Sequence, residues 1–441
     1  MYLIEPVLKT YGWGSRDKLQ RLFEDGPAAH VRGPLAEVWF SGHPVWPSMV
    51  RIPQRGFVAL DEMIRTDPAG VLGGADSSRF GPVLPFLFKI ISAERPLSLQ
   101  VHPVSFRARA GFNRENRDRV PLESPRRSYR DPVEKNEMVM ALEAFDLSVG
   151  FANLGLIRSV LAKVDHPLAR RMLLCVDENE GKGLSWLTHD ERVIRSALSL
   201  AVRGDVLACG GLSGSLERAV RAASDPRERA MLDNALAAAR AFPDDPSVMA
   251  LLLMNAVRLL PGQAMYVPAG TLHTYIGGTA AEIMTSSDTV LRAGMTVKPK
   301  SVDEALRVIA YDGPRSGGPL EASQGSVCVS GCCGADVRVM DPGVEEFMLT
   351  WCGLPGGPGS GATREHDTSR VDVIGRPRVD LSPGHVRVVL SVRGDVSCDS
   401  EDGRIRLRPG HAALVRASES IHLESYDDDG EAVVLVASPE G

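Results

Sequence analysis

The chain lacks any stretch approaching the roughly 20 apolar residues needed to span a bilayer, so no membrane partner is expected. It has no Cys-x-x-Cys pair, and its seven cysteines are scattered and odd in number. That excludes a disulfide framework and the commonest zinc modules. Cys328, Cys332 and Cys333 cluster, and read as reduced thiols rather than a structural metal site. Basic excess is also missing. The net charge is −6 and the pI near 6.0, which argues against a nucleic-acid partner. The opening Met-Tyr-Leu-Ile-Glu-Pro has neither a basic start nor a long apolar run, so it is not read as a signal peptide. What is present is 44% hydrophobic residues over 441 positions, enough for two or three domains with sizeable cores. A soluble cytoplasmic protein is expected.

Residues 1–103 read as strands and turns: Ala36–Phe40, Phe86–Ile91 and Leu97–Val101 are broken by Gly, Pro and Ser clusters. Val104–Arg130 carries eight arginines and reads as irregular. Val139–Phe151 returns to strand character. The period then changes. Leu156, Ile157, Val160, Leu161 and Val164 repeat at helical spacing. Thr188-His-Asp-Glu191 is a capping box, and Asp245-Pro246 predicts an N-cap opening a helix through Val257. Strands resume at Ala264–Val267 and continue to Val297. Residues 354–363 are rich in Gly, Pro and Ser and read as a loop. Period-2 segments follow at Val386–Val392, Arg404–Leu407, Ala412–Val415 and Ala432–Ala437.

One internal echo bears on architecture. Leu260-Pro-Gly-Gln-Ala-Met-Tyr-Val-Pro-Ala269 resembles Arg408-Pro-Gly-His-Ala-Ala-Leu-Val-Arg-Ala417. His273 follows the first, and His422 follows the second one residue later than matching spacing. A turn feeding a strand twice over suggests two cupin-like (jelly-roll) β-barrels. The expected fold is mainly β with an α-helical insertion. Residues 1–153 and 259–315 form a catalytic cupin-like domain, 154–258 a helical domain, and 316–441 a second cupin-like domain without metal.

The most informative residues lie in Ser98-Leu99-Gln100-Val101-His102-Pro103. Side chains on a strand alternate faces, so Ser98, Gln100 and His102 point one way and Leu97, Leu99 and Val101 the other. A hydroxyl, an amide and an imidazole on one face suit an ion or ligand better than a core. His273, at the end of Val267-Pro-Ala-Gly-Thr-Leu-His273, is placed as a cupin places a ligand. Glu137 opens an apolar strand, with Glu134 as a rival carboxylate. One amide oxygen, two imidazoles and one carboxylate would hold one zinc-like ion and leave room for a substrate oxygen.

Leu84-Pro-Phe-Leu-Phe-Lys89, Pro96-Leu-Ser-Leu-Gln-Val-His-Pro103, Asp131-Pro-Val-Glu-Lys-Asn-Glu-Met138 and Ser287-Asp-Thr-Val-Leu-Arg-Ala-Gly-Met-Thr296 resemble the successive motifs of type I mannose-6-phosphate isomerases. The resemblance runs from Tyr11-Gly-Trp-Gly14 to about Lys300 and is faint beyond residue 315. It implies one Zn²⁺ per chain held by Gln100, His102, Glu137 and His273. It also implies Lys135 as an acid/base group, since a nearby divalent cation disfavours an ammonium. The chain departs from the family's His-Lys-Pro-Glu with Glu134-Lys135-Asn136-Glu137, and Glu134 could take the absent histidine's proton-transfer role. Where the family has Thr-Pro-Lys, this chain has Thr296-Val297-Lys298.

Ser98, Lys89, Arg292 and Lys298 would then form a cationic rim for a phosphate dianion. Asp288 could orient Arg292 or bind a sugar hydroxyl, and Glu282 would support His273. The implied reaction interconverts D-mannose 6-phosphate and D-fructose 6-phosphate through an enediol. The implied partner is a phosphorylated hexose, and the implied state a monomer or weak homo-oligomer. Two other readings stay open: a non-catalytic sugar-phosphate-binding cupin and a metal-dependent cupin oxygenase.

Overall fold

In the computed structural model, residues 1–177, 187–205, 209–312, 319–320, 329–356, 377–426 and 430–440 are described. Part of the predicted loop at 354–363, and the side chains of Cys328, Cys332 and Cys333, lie outside that set. The sheets are mainly antiparallel. No described helix is long and apolar enough to cross a membrane. The chain divides into two compact units. One holds Met1–Ser92, Ala281–Ser286 and Leu320–Gly441, and the other holds Ala93–Ala280 and Ser287–Pro319. This partition follows other lines than the three-part division drawn from sequence.

The first unit contains an eight-stranded sheet and a five-stranded sheet. Strands Arg378–Leu381, Ile421–Ser425 and Val396–Ser400 lie side by side in the smaller one. Their alternate residues Val379, Leu381, Ile421, Leu423 and Cys398 share one core with Cys352, Leu354, Val389, Ala413 and Val434 of the larger sheet. Period-2 alternation therefore sends the residues between them outward. His422 is one of these: it is exposed and its Nδ1 lies 2.6 Å from Asp380 Oδ1. The larger sheet also takes in the N-terminal strand Tyr2–Glu5, which pairs with Ala412–Val415 (Tyr2 opposite Leu414) and with Met49–Ile52.

The echoed turns are alike in structure. Gly262 and Gly410 both adopt left-handed backbone, at φ 81° and 87°, which glycine enters without a Cβ penalty. In each, the next amide closes a turn: Gln263 N–H donates to Leu260 O at 2.9 Å, and His411 N–H to Arg408 O at 2.8 Å. A strand follows each turn, Ala264–Val267 and Ala412–Val415.

In the second unit, helices Leu154–Lys163, Pro167–Asp177, His189–Val202, Leu212–Ala222 and Pro226–Ala241 bury one apolar stripe each in a common core. Thr188 and Glu191 form the predicted reciprocal cap.

Two local expectations change. Asp245 does cap a helix, but this is the 3₁₀ segment Pro246–Leu253, and Met254–Leu259 is a strand. Every residue of Pro246–Leu253 is buried, so no amphipathic period marks its end. Antiparallel pairing with Phe145–Phe151, with Val257 opposite Leu147, then claims the following residues. The second change is in Val104–Arg130, where Ser105–Arg117 is a helix rather than irregular chain. It buries only Ala108 and Gly111, too narrow a stripe for periodicity to reveal.

Candidate metal centre

Four strands of the second unit build the site, with Glu137 at the start of the strand Glu137–Ala141. Gln100, on Leu99–Val101, is paired with His273 on one side and with Arg292, on Leu291–Gly294, on the other. Directly opposed residues share a sheet face, so these three side chains belong to one rung. The loop before His273 turns at Gly270, at φ +89°. There the Gly270 N–H donates to His102 O at 2.7 Å and the Gly270 carbonyl accepts from Ala310 N at 2.9 Å. Asn136 fixes the same loop, its Oδ1 accepting from Tyr266 Oη at 3.1 Å and Ala269 N at 3.0 Å.

His102, Glu137 and His273 are buried and converge. Glu137 Oε1 lies 3.1 Å from His102 Nε2, and Glu137 Oε2 lies 3.1 Å from His273 Nε2. Each imidazole turns its other nitrogen to a backbone carbonyl: His102 Nδ1 is 2.9 Å from Thr289 O, and His273 Nδ1 is 2.9 Å from Thr271 O. A carbonyl can only accept, so both Nδ1 atoms carry a proton and both Nε2 atoms are turned to the centre. His102 Nε2 and Glu137 Oε2 are buried without a hydrogen-bond partner.

The Gln100 amide is 3.2 Å from His273 Nε2, and Ser98 Oγ donates to Gln100 Oε1 at 3.0 Å. The Ser98 hydroxyl can donate or accept. It therefore serves equally well when the amide turns its oxygen inward.

These distances suit an ion. Donors about 2.0–2.1 Å from a tetrahedral centre stand roughly 3.3 Å from one another, close to the spacing of these atoms. Burial pushes the His102 imidazole down to about 4, outweighing the attraction of Glu137. The ring is therefore neutral and ready to coordinate at neutral pH. Burial alone would raise the Glu137 carboxyl, but the neighbouring His102, Lys135 and His273 hold it well below the usual carboxylate range. Once His102 is neutral, Lys135 is the charge that remains, with Nζ 3.0 Å from Glu137 Oε1.

The other expected residues fall into three places. Asp288, Arg292 and Lys298 line one cavity of about 460 Å³, together with Arg127 and Arg130. Glu134 turns away to the helix Ser105–Arg117, where its Oε2 accepts the Ser105 N–H at 2.9 Å. A carboxylate there satisfies an orphan amide and the helix dipole. Lys89 and Glu282 belong to the first unit. There the Lys89 Nζ is 2.6 Å from Glu282 Oε2 and 2.9 Å from Glu37 Oε1. Burial opposes the Lys89 charge, but the two carboxylates outweigh it and hold the ammonium above the ordinary lysine range.

Sequence reasoning missed Asp131. Its Oδ1 accepts from Ser287 Oγ at 2.8 Å and its Oδ2 from Asp288 N at 2.7 Å, which ties the Glu137 approach to the Thr289 segment. An Asp-Pro turn was its only signal. It also missed Thr271 and Thr289, which act through backbone carbonyls that no residue type announces.

Two buried imidazoles and a buried carboxylate, converging on antiparallel sheet, form a group that could hold one metal ion. Residues 1–154 match the family model for the catalytic domain of type I phosphomannose isomerase. The chain is 31% identical to the mannose-6-phosphate isomerase of Emericella nidulans over 346 residues, covering 72% of this chain and 71% of that one. It is 29% identical to the Escherichia coli mannose-6-phosphate isomerase over 416 residues, 94% of each. A crystal structure of mannose 6-phosphate isomerase from Salmonella typhimurium, bound to fructose 6-phosphate and zinc, superposes with a TM-score of 0.80 at 23% identity and full coverage of both chains. The chain belongs to the type I phosphomannose isomerase family.

Proposed function

We propose that this protein is a zinc-dependent aldose–ketose isomerase that interconverts D-mannose 6-phosphate and D-fructose 6-phosphate. The observation that carries the reading is the buried convergence of His102, Glu137 and His273 with Gln100, on the same rung as Arg292. Moving a proton between C1 and C2 needs a base, stabilisation of the enediol oxygens and a fixed substrate. Gln100, His102, Glu137 and His273 would hold the Zn²⁺, and that ion supplies Lewis-acid polarisation of the sugar's O1 and O2.

The chain's own groups do the rest. Lys135, buried beside Glu137, is the proton carrier nearest the metal donors. Arg292 would face the reacting oxygens from the same rung as Gln100, and Asp288 and Lys298 would border the space for the sugar phosphate. Glu134 is assigned to the helix terminus rather than to proton transfer. The paired sheets with their echoed turns support a cupin-type scaffold. A phosphorylated sugar does not cross membranes unaided, so the enzyme is placed in the cytoplasm. A monomer or weak homo-oligomer remains part of the proposal.

The test is a coupled assay of mannose 6-phosphate conversion with chelator-stripped protein, with and without added Zn²⁺, beside a Gln100→Ala/His102→Ala control. Zinc-restored turnover that the control lacks supports the reading. No turnover from folded, zinc-loaded protein sinks it.

A further inference from the structure

Two arginines of the segment after helix Ser105–Arg117 reach the cavity that Arg292 also lines, and their situations differ. Arg127 is buried and fully engaged. It donates to Tyr129 O at 2.6 Å, Val120 O at 2.7 Å and Asn116 Oδ1 at 2.7 Å, and Glu115 lies 3.2 Å away. Its work is to hold the segment in shape. Arg130 is half-buried, and its guanidinium donates to the Leu122 and Ser124 carbonyl oxygens. Among the described residues no carboxylate pairs with it. Carbonyl oxygens orient a guanidinium but leave its charge in place, and five N–H donors are more than two carbonyls consume.

The backbone sets where that charge sits. Arg130 N–H donates to Thr289 Oγ1 at 3.0 Å, and the carbonyl of the same Thr289 faces His102 Nδ1 at 2.9 Å. Arg130 is thus held at a fixed distance from the metal donors through one intervening residue. Arg292 and Lys298 line the same cavity. Several cations around one space suit a dianion, and a guanidinium fork matches two phosphate oxygens at once.

We infer that Arg130 is a specificity-determining residue that contacts the substrate's phosphate, making the cavity selective for phosphomonoesters. The inference rests on the isomerase reading for the identity of the sugar, but its ligand class is tested independently of turnover. Inorganic phosphate is titrated calorimetrically into zinc-loaded wild type, Arg130→Gln and Arg130→Lys, and the KM and kcat for mannose 6-phosphate are measured alongside. The Gln variant keeps a hydrogen-bonding side chain against the loop carbonyls, and a melting curve checks that each variant is folded.

Arg130→Gln is expected to weaken phosphate binding and raise KM together by roughly tenfold or more, the usual weight of a hydrogen bond to a charged group. It should change kcat less, and Arg130→Lys should recover part of the loss. Phosphate binding unchanged in folded Arg130→Gln overturns the inference, because the anion is then held elsewhere, the metal included. A Lys variant as impaired as the Gln variant also overturns it, since loop shape rather than charge is then at work. Absence of turnover in wild type, with phosphate binding still weakened by Arg130→Gln, sinks the isomerase reading and leaves this one standing.

Discussion

Gln100 and His273 face each other across one rung of antiparallel sheet, the Gln100 amide 3.2 Å from His273 Nε2. A neutral donor is thereby locked beside an imidazole by backbone pairing, with Ser98 holding the amide from behind. Gln100→Ala should weaken zinc binding by at least about tenfold, and Ser98→Ala should weaken it less, as for residues that orient a ligand. Competition with a chromogenic chelator measures both. Equal zinc affinity in wild type and Gln100→Ala would remove Gln100 from the donor set.

Metal-free protein should lose stability on mild acidification. The His102 ring is depressed to about 4 in the folded chain, against about 6.5 when unfolded. Between those values the unfolded chain binds the extra proton, so stability is complete above about pH 6.5 and is lost as pH falls toward 4. The depression corresponds to about 3 kcal/mol by linkage. Melting temperatures of chelated protein at pH 7 and pH 5 read the effect, and His102→Gln should flatten that part of the profile. A His102→Gln profile as steep as wild type would assign the acid sensitivity elsewhere.

Glu134→Ala tests whether this carboxylate caps a helix or moves a proton. Losing the bond to Ser105 N–H should cost on the order of 1 kcal/mol, read as a lower melting temperature, with most of kcat retained. A large fall in kcat at unchanged melting temperature would restore Glu134 as a proton carrier.

Gly111→Ala should destabilise, against the usual rule. In an ordinary helix interior the change gains about 1 kcal/mol. Here the added Cβ would meet the Tyr129 ring at 2.4–2.5 Å. That ring is fixed by its hydroxyl, which donates to Glu304 Oε2 at 2.8 Å. Overpacking of this kind costs about 1–3 kcal/mol, so the net sign is a loss. A raised melting temperature in Gly111→Ala would show that the ring can move aside.

What the sequence made legible were features that announce themselves locally. The polar face of Gln100 and His102 follows from strand alternation, and the helices from Leu154 onward carry their own period and caps. The rest depends on neighbours distant in sequence. Glu134 meets a helix terminus 29 residues earlier in the chain, and Lys89 meets Glu37 and Glu282 on other strands. His422 matches His273 in sequence context yet takes the outward-facing parity of its strand, which only the Arg378–Leu381 and Val396–Ser400 pairings define.

The strand Tyr2–Glu5 lies between Met49–Ile52 and Ala412–Val415 in its sheet, and this has a consequence for biosynthesis. One neighbour is available as soon as the fiftieth residue or so is made, but the other is translated about 360 residues later. At about 5–20 residues per second, the strand's second edge waits tens of seconds or more with open backbone donors and acceptors. Such an edge is a template for mispairing. The eight-stranded sheet can close only once Ala432–Ser438 has been made, which makes this long-range pairing a late step of folding.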